Sequence, residues 1–592
     1  MANRSPTLML NKAVGAMLGA ACGDALGWPN ERVGRSSVDK SKPQGPLLEF
    51  RKWTRRSGGR YYPHDEIIDA GSYSDDTQLI LCLSRSLQCG PRWWNRFSRI
   101  ELPFWALYER GGGGATKRAV DAWTDGVPPW SGKKTSNDVK RYFEAGGNGV
   151  AMRILPHVLF NTDISDFAPL ARNIMLDGIV THGHPRALVG ALAYGYALWK
   201  SIRRLDQLGF GEIVEDLLGN VSEWDSIPDT SVAGDDWIKA ASNHIPGYQN
   251  LWRSVVQEMI DLLETCKKEL SKGALTSDED TLHALQCFDQ KTSGAGTVAA
   301  GAAVFLASRY APDPIHGLTT AAHAVGADTD TIASMTGGLL GTFSGMEWLA
   351  SLQNHVQDSK YLVKIATDLV SKCESTGLPD IPSVSRSNLN RWVDELLEMK
   401  SGVTCELPDG RRGNIVSRSE RVGKSEKFKV IFYRIACEDG QNLYFSRIKK
   451  GTFPTADVAK GPAASTPTSR SFNFGPKLPV HSLDEAVRFY QGILGLNIKK
   501  RMQEVIVFEQ GLVLVPGDYP KTQYGGKDIH SLIYIELTDI EKRYELAKSK
   551  GAKIISPLSL WGNSKRSYFR CSDPDENIVE VFSAETTNRN GG

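Results

Sequence analysis

Several features are scarce in this 592-residue chain, and each absence narrows what it can be. No run of about 18 uninterrupted apolar residues occurs, so no membrane-spanning helix is expected. The nine cysteines are scattered, odd in number and never paired as C-x-x-C, which argues against a zinc knuckle or a disulfide framework and fits a reducing cytoplasm. Charge of one sign is also missing: 70 basic against 68 acidic residues leave +2, without the broad basic surface that sequence-independent nucleic-acid binding requires. Lys12 and the stretch Ala13 to Cys22 have the look of a short signal-peptide core, but a glycine spacing that suits a packed helix continues to Gly27.

What is present is ordinary globular composition, 41% hydrophobic and 23% charged, in a chain too long for one core. Two or three domains are expected. Residues 1–400 read as one all-α domain, with Ala- and Leu-rich segments such as Ala187 to Trp199 and Thr297 to Ser308 between Gly/Pro/Asn/Asp loops. Gly15, Gly19, Gly23 and Gly27 recur every four residues, and Gly337, Gly341 and Gly345 repeat the spacing, which predicts glycine-lined helix faces that pack closely. Residues 401–455 turn to β-branched and aromatic runs with Asp409-Gly410 and Asp439-Gly440 turns, a small β module. Residues 456–471 read as a flexible linker, and 472–587 as an α+β domain of two βαβββ units.

Chemistry concentrates at two acidic helix starts. Ser74-Asp75-Asp76-Thr77 precedes the apolar segment Leu79 to Leu87, and Asp328-Thr329-Asp330-Thr331 opens the second glycine-faced helix. Acids in a first turn often merely cap. Two copies also supply what a pair of hard cations requires, several carboxylates completed by hydroxyls or water. With no cysteine nearby, magnesium is expected before manganese. The loops Gly111 to Gly114 and Gly147-Asn148-Gly149 offer backbone N–H groups for a diphosphate, or are plain turns. His182 and His184 precede a helix, as substrate contacts or as capping and core residues. The basic insert Arg51 to His64 is a solvated loop or a grip on a phosphate-rich substrate.

These segments, with Gly23-Asp24-Ala25-Leu26-Gly27-Trp28-Pro29-Asn30-Glu31, Gly147 to Arg153 and Thr181-His182-Gly183-His184-Pro185, occur in the order of the ADP-ribosylglycohydrolase family, which the chain resembles over residues 10 to 350. The resemblance implies an all-α fold, two Mg2+ ions (Mn2+ as the second choice) and hydrolysis of the glycosidic bond of an ADP-ribosylated protein, nucleic acid or small molecule. It makes Ser74, Asp75, Asp76, Asp328, Asp330 and Thr331 metal ligands. Glu31, Asp76 and Asp328 become the catalytic carboxylates, and Gly112, Gly113, Gly147, Asn148, Gly149 and His182 the substrate contacts. Ser74 stands where many members carry Thr, and the basic insert is longer than usual. The alternatives are hydrolysis of another ribosyl or nucleoside-like bond and non-catalytic binding of ADP-ribose.

Residues 472–584 resemble the glyoxalase/bleomycin-resistance fold, but only Glu580 matches a metal position. His530 is a shifted candidate, and Gly475 and Leu514 replace ligands in the first half. Two ligands are too few for a competent site, so the domain is expected to bind a ligand or partner without chemistry of its own.

Overall fold

The computed structural model describes residues 6–31, 48–206, 208–231, 236–373, 383–423 and 427–451, and most of 477–583. The expected linker 456–471, Gly475 and His530 lie outside the described residues. Contacts divide the chain into two units, Met1–Ala456 and Asp457–Gly592. No described helix is long and apolar enough to cross a membrane.

The first unit is built around two helices that the glycine spacing foretold. Helix α1 (Pro6–Gly27) runs antiparallel to α7 (Thr329–Ser344), with Gly15 against Gly345, Gly19 against Gly337, Gly23 against Ala333 and Gly27 against Thr329. The backbones are in direct contact: a Cβ on Gly19 would lie 2.3 Å from the Gly337 carbonyl oxygen, and one on Gly23 2.1 Å from that of Ala333. Only glycine permits this approach. Against the pair pack α2 (Asp75–Leu87), α4 (Pro185–Ile202) and α6 (Gly296–Arg309), with α5 (Tyr248–Leu270) on α4 and α6, and α3 (Gly114–Thr124) lying further out among shorter helices. Helix α5 is amphipathic, burying Trp252, Val255, Met259, Leu262, Leu263 and Cys266 at three- and four-residue steps.

The basic insert Arg51 to His64 opens a β-hairpin, β1 (Trp53–Ser57) with β2 (His64–Ile68). Residues 401–455 hold an antiparallel meander, β3 (Thr404–Glu406), β4 (Arg412–Val422), β5 (Phe428–Cys437) and β6 (Asn442–Lys450), in the order β3-β4-β5-β6. Gly410 and Gly440 take positive φ at the two predicted turns. One face of the meander belongs to the same core as the helices: Ile415, Tyr433, Ile435, Leu443 and Phe445 are buried, and Phe445 meets Phe104, Tyr108 and Trp392.

A buried ionic network joins sheet to helices. Glu101 accepts from Arg85 at 2.8 Å and Arg96 at 3.0 Å, while Arg85 and Arg411 both donate to Gln441. Burial would raise the Glu101 carboxyl; Arg85, Arg96 and Arg411 outweigh it and hold the group below the usual range.

The second unit has the expected duplicated pattern. Strand β7 (Lys477–Val480), a helix Leu483–Val487, then β8 (Ile498–Met502), β9 (Val505–Phe508) and β10 (Val513–Pro516) form one sheet, with β7 and β10 parallel. After a small hairpin of β11 (Thr522–Tyr524) and β12 (Lys527–Ile529), the plan repeats in β13 (Leu532–Leu537), a helix Ile540–Ser549, β14 (Lys553–Leu560), β15 (Ser567–Ser572) and β16 (Ile578–Ser583). Glu580 is buried and bonded to Arg570 at 2.6 Å, and Leu514 is a core residue.

Replacing Gly19 by Ala must push α1 and α7 apart. The thermal unfolding midpoint of the first unit should fall, by the equivalent of about 2 kcal/mol or more. Gly132→Ala, with nothing within 4 Å of the added carbon, should leave the midpoint unchanged.

Candidate metal centre

The antiparallel glycine contact sets the C-terminal end of α1 beside the N-terminal end of α7. Asp24 comes from the former, Asp328, Asp330 and Thr331 from the latter, and α2 brings Ser74, Asp75 and Asp76 to the same place. Carboxylate oxygens of Asp24, Asp76 and Asp330 all lie within 4.8 Å of one another, and all three residues are buried.

Asp24 also fixes the start of α2: its carboxylate accepts the Ser74 N–H at 2.8 Å, the Thr77 N–H at 3.0 Å and the Thr77 hydroxyl at 2.6 Å. Ser74 caps α2 by accepting the Asp76 N–H, so the expected capping role is real, and its hydroxyl also donates to Asp76 at 3.2 Å. Thr331 donates to Asp76 from α7 at 3.1 Å. Asp330 accepts the N–H of Thr331, whereas Asp328 caps nothing with its side chain. Asp328 instead accepts from the Asn148 amide at 2.9 Å, which ties the Gly147–Gly149 loop to the acids.

Burial and like charge dominate the electrostatics of this cluster. Burial lifts the Asp24 carboxyl to about 6, against its hydrogen bonds from Thr77 and Ser74. Asp75, Asp76 and Asp330 are pushed well above the carboxylate range, by burial first and then by like charges: Glu109, Asp24 and Glu31 on Asp75; Asp24, Asp75 and Asp328 on Asp76; Glu31, Asp328 and Asp76 on Asp330. The neighbours that most perturb these three are carboxylates, not lysines or arginines. An all-oxygen set with surplus negative charge fits a hard divalent ion.

Two loops border the acids, and one expectation about them needs correcting. Gly111, at φ +114°, passes so close to Asp75 that a Cβ there would sit 2.6 Å from its Oδ1. Yet the N–H groups of Gly111 and Gly112 both donate to Glu109 Oε2, at 3.1 and 2.9 Å, and the Asn148 N–H donates to the Gly294 carbonyl. Those three amides are therefore not free for a diphosphate; a nearby carboxylate and a backbone carbonyl have taken them. Gly113 sits open at the N-cap of α3, with nothing within 4 Å of an added carbon.

His182 is 2% exposed, bonded through Nδ1 to the Thr181 hydroxyl at 2.8 Å and packed on Gly149, where a Cβ would lie 3.0 Å from its ring. Burial first, then Arg153 and Arg118, lower it to about 3, so it is neutral at physiological pH. Arg153 shapes the same loop from beneath by donating to the Gly149 carbonyl at 2.6 Å. His184 is a helix cap, its Nδ1 accepting the Arg186 N–H.

The residues that sequence reasoning left without a role are Asp24 and Glu109. Asp24 carried a signal: apart from Lys12, it is the one charged residue in the 22 of α1. Glu109 carried none, since its part depends on the fold of the following glycines.

Three helix ends thus deliver carboxylates into the interior of a largely helical unit, where they form a buried acidic cluster. The chain belongs to the ADP-ribosylglycohydrolase family, whose model matches residues 5–379, and its C-terminal part matches the glyoxalase/bleomycin resistance protein/dioxygenase superfamily over 474–581. Among solved structures it is similar to an "ADP-ribosylglycohydrolase-related protein complex", 19% identical over 62% of this chain and 99% of the other, with a TM-score of 0.39. The C-terminal part is similar to a glyoxalase/bleomycin resistance protein/dioxygenase from Alicyclobacillus acidocaldarius (26% identical, 19% and 89% covered, TM-score 0.16). It is also similar to a lactoylglutathione lyase from Agrobacterium tumefaciens (19% identical, 21% and 99% covered, TM-score 0.16). No curated protein matches.

Two outcomes are expected. Asp330→Asn removes one like charge from the cluster, so the metal-free variant should melt higher than the metal-free wild type while its further stabilisation by Mg2+ shrinks. A variant that melts lower without metal and gains as much from Mg2+ would contradict the assignment. For His182, the folded value lies below the unfolded 6.5, so the unfolded chain binds the extra proton; stability is complete above about 6.5 and is lost as pH falls towards about 3. Denaturation midpoints of His182→Gln should decline less steeply across that window than those of the wild type.

Proposed function

We propose that the first unit is a magnesium-dependent hydrolase, with manganese able to substitute, that cleaves the glycosidic bond between ADP-ribose and its target. The observation that carries this reading is the meeting of Asp24, Asp76 and Asp330 within 4.8 Å in a buried pocket of like charge, in a chain of this family. Asp24, Asp76 and Asp330, with Asp75, Asp328 and the hydroxyls of Ser74 and Thr331, would hold two ions. When bound, the ions would fix the ribose hydroxyls and offset charge in the transition state.

The chain's own groups supply the rest. Departure of the target from the ribose passes through an oxocarbenium-like state, which a correctly placed carboxylate stabilises while another takes a proton from the attacking water; the water's hydroxyl ends on the ribose and a proton on the departing target. Glu31 is half-buried at the turn after α1 and close enough to Asp75 and Asp330 to perturb both, which suits it to receive that proton. Asp76 and Asp328 are the further candidates. Asn148 orients Asp328, and Gly111 and Gly113 keep the approach to the acids clear of side chains. Neutral His182 serves as support for the Gly147–Gly149 loop. Among the described residues of the second unit, Glu580, the position matching a metal ligand, is bonded to Arg570, which supports a binding role for that unit.

The test is release of ADP-ribose from a panel of arginine-, serine- and nucleic-acid-linked substrates at saturating Mg2+. Chelation should abolish turnover, and Asp76→Asn and Asp330→Asn should each lower it by a factor on the order of hundreds while remaining folded. Full turnover in excess chelator would overturn the proposal.

A further inference from the structure

The meander turns one face to the helical core, and its other face is not bare: the β1–β2 hairpin lies against it, with Tyr62 edge-on to Phe428 and His64 to Phe432. Between hairpin and sheet is a cavity of about 250 Å³. Its sheet side is set by register, since Ser417, Arg434 and Tyr444 are directly paired across β4, β5 and β6, with Ser419 and Phe432 in the next row.

Arg110 lines this cavity and is only 5% exposed. One Nη bonds Glu66 at 3.1 Å and the guanidinium lies 4.1 Å from the Tyr444 ring centre, but Nε and Nη1 have no hydrogen-bond partner. A buried guanidinium with unmet donors is costly unless something accepts from it. Two exposed arginines join it: Arg434, bonded to Asn442, and Arg421, which touches the Asp65 carbonyl and lies over Phe432. The two acids on the wall are already matched, Glu66 by Arg55 and Arg110 and Asp69 by Lys52, so the cavity keeps a surplus of positive charge.

We infer that this cavity is an anion site for a phosphate of a single-stranded nucleic acid. Guanidinium forks match phosphate oxygens in pairs, the serine hydroxyls add donors, and arginines interleaved with aromatic rings are the usual means of holding a strand. The adjoining hairpin extends the same chemistry outward through exposed Arg56, Arg60 and Tyr61, the last 81% exposed. The chain's near-neutral overall charge agrees with a short local contact, a few phosphates long, in place of a broad basic face. Arg110 immediately precedes Gly111, which touches Asp75, so a strand anchored here runs beside the acidic cluster. That it would present a modified nucleotide there rests on the hydrolase reading; the binding itself does not.

The full chain is titrated into a fluorescein-labelled single-stranded oligonucleotide and followed by anisotropy at several salt concentrations. Wild type should bind, and the double variant Arg421→Gln/Arg434→Gln should bind about tenfold or more weakly, with the log–log salt slope reduced by about 1.4, the amount two lost phosphate contacts give. Both positions are exposed, so the melting temperature and the turnover of a small ADP-ribosyl compound should stay as in wild type. Arg110→Lys, which keeps the charge but not the fork, should weaken binding as well. Equal affinity of wild type and double variant would overturn the inference. So would preference for a charge-matched phosphopeptide, or full displacement of the strand by stoichiometric inorganic phosphate. Because the readout is binding, failure here leaves the hydrolase proposal standing, and an inactive but strand-binding protein would refute only the latter.

Discussion

The contact between the α1 and α7 backbones is the constraint from which the acidic centre follows. Carbonyl oxygens of one helix occupy the places where side chains of the other would be, and they do so at four-residue steps along the antiparallel pair. Such packing has no play: it fixes axial register as well as distance. Asp24 and Asp330 sit at the same end of that pair, so their separation is set by glycines one to several turns away. The hydrogen bond from the Thr329 hydroxyl to the Gly27 carbonyl at 2.9 Å closes the register at that end.

Converging carboxylates of this kind work against folding, and the structure shows what makes them tolerable. Ser74, Asp75 and Asp76 lie at the start of α2, and Asp328 and Asp330 at the start of α7, where the helix dipole is favourable to negative charge. Asp24 lacks that help, being near the end of its helix, but it receives three hydrogen bonds from α2. What remains is repulsion that a bound cation would reverse, so ion binding and stability of the first unit are expected to be linked.

Much of this was legible beforehand, and the rest was hidden for identifiable reasons. Periodic glycines announced close helix packing because only glycine lets backbones touch, and the doubled acid-plus-hydroxyl starts marked the carboxylates that the fold brings together. Nothing local could say that Asp24 meets Asp330 across some 300 residues, since the register belongs to the helix pair. The amides of Gly111 and Gly112 read as open because a glycine run gives no sign of the carboxylate, Glu109, that folds back onto it. β-branched and aromatic runs with Asp-Gly turns gave away the small β module, but not that its inner face completes the helical core, nor that Arg85 and Arg411 would share Gln441 across the junction.

The pairing of α1 with α7 also bears on how the chain is made. The hydrogen bond that closes the pair spans 302 residues, and α1 emerges from the ribosome long before its partner has been translated. At 5–20 residues per second, the interval is roughly 15–60 s, far longer than helices or hydrophobic collapse take to form. Throughout it a helix whose residues end up almost entirely buried stands exposed, so the nascent chain must either shelter α1 in provisional contacts that later give way or hand it to a chaperone. The glycines that make the finished centre so exact thus postpone its assembly until nearly the whole helical unit has been synthesised.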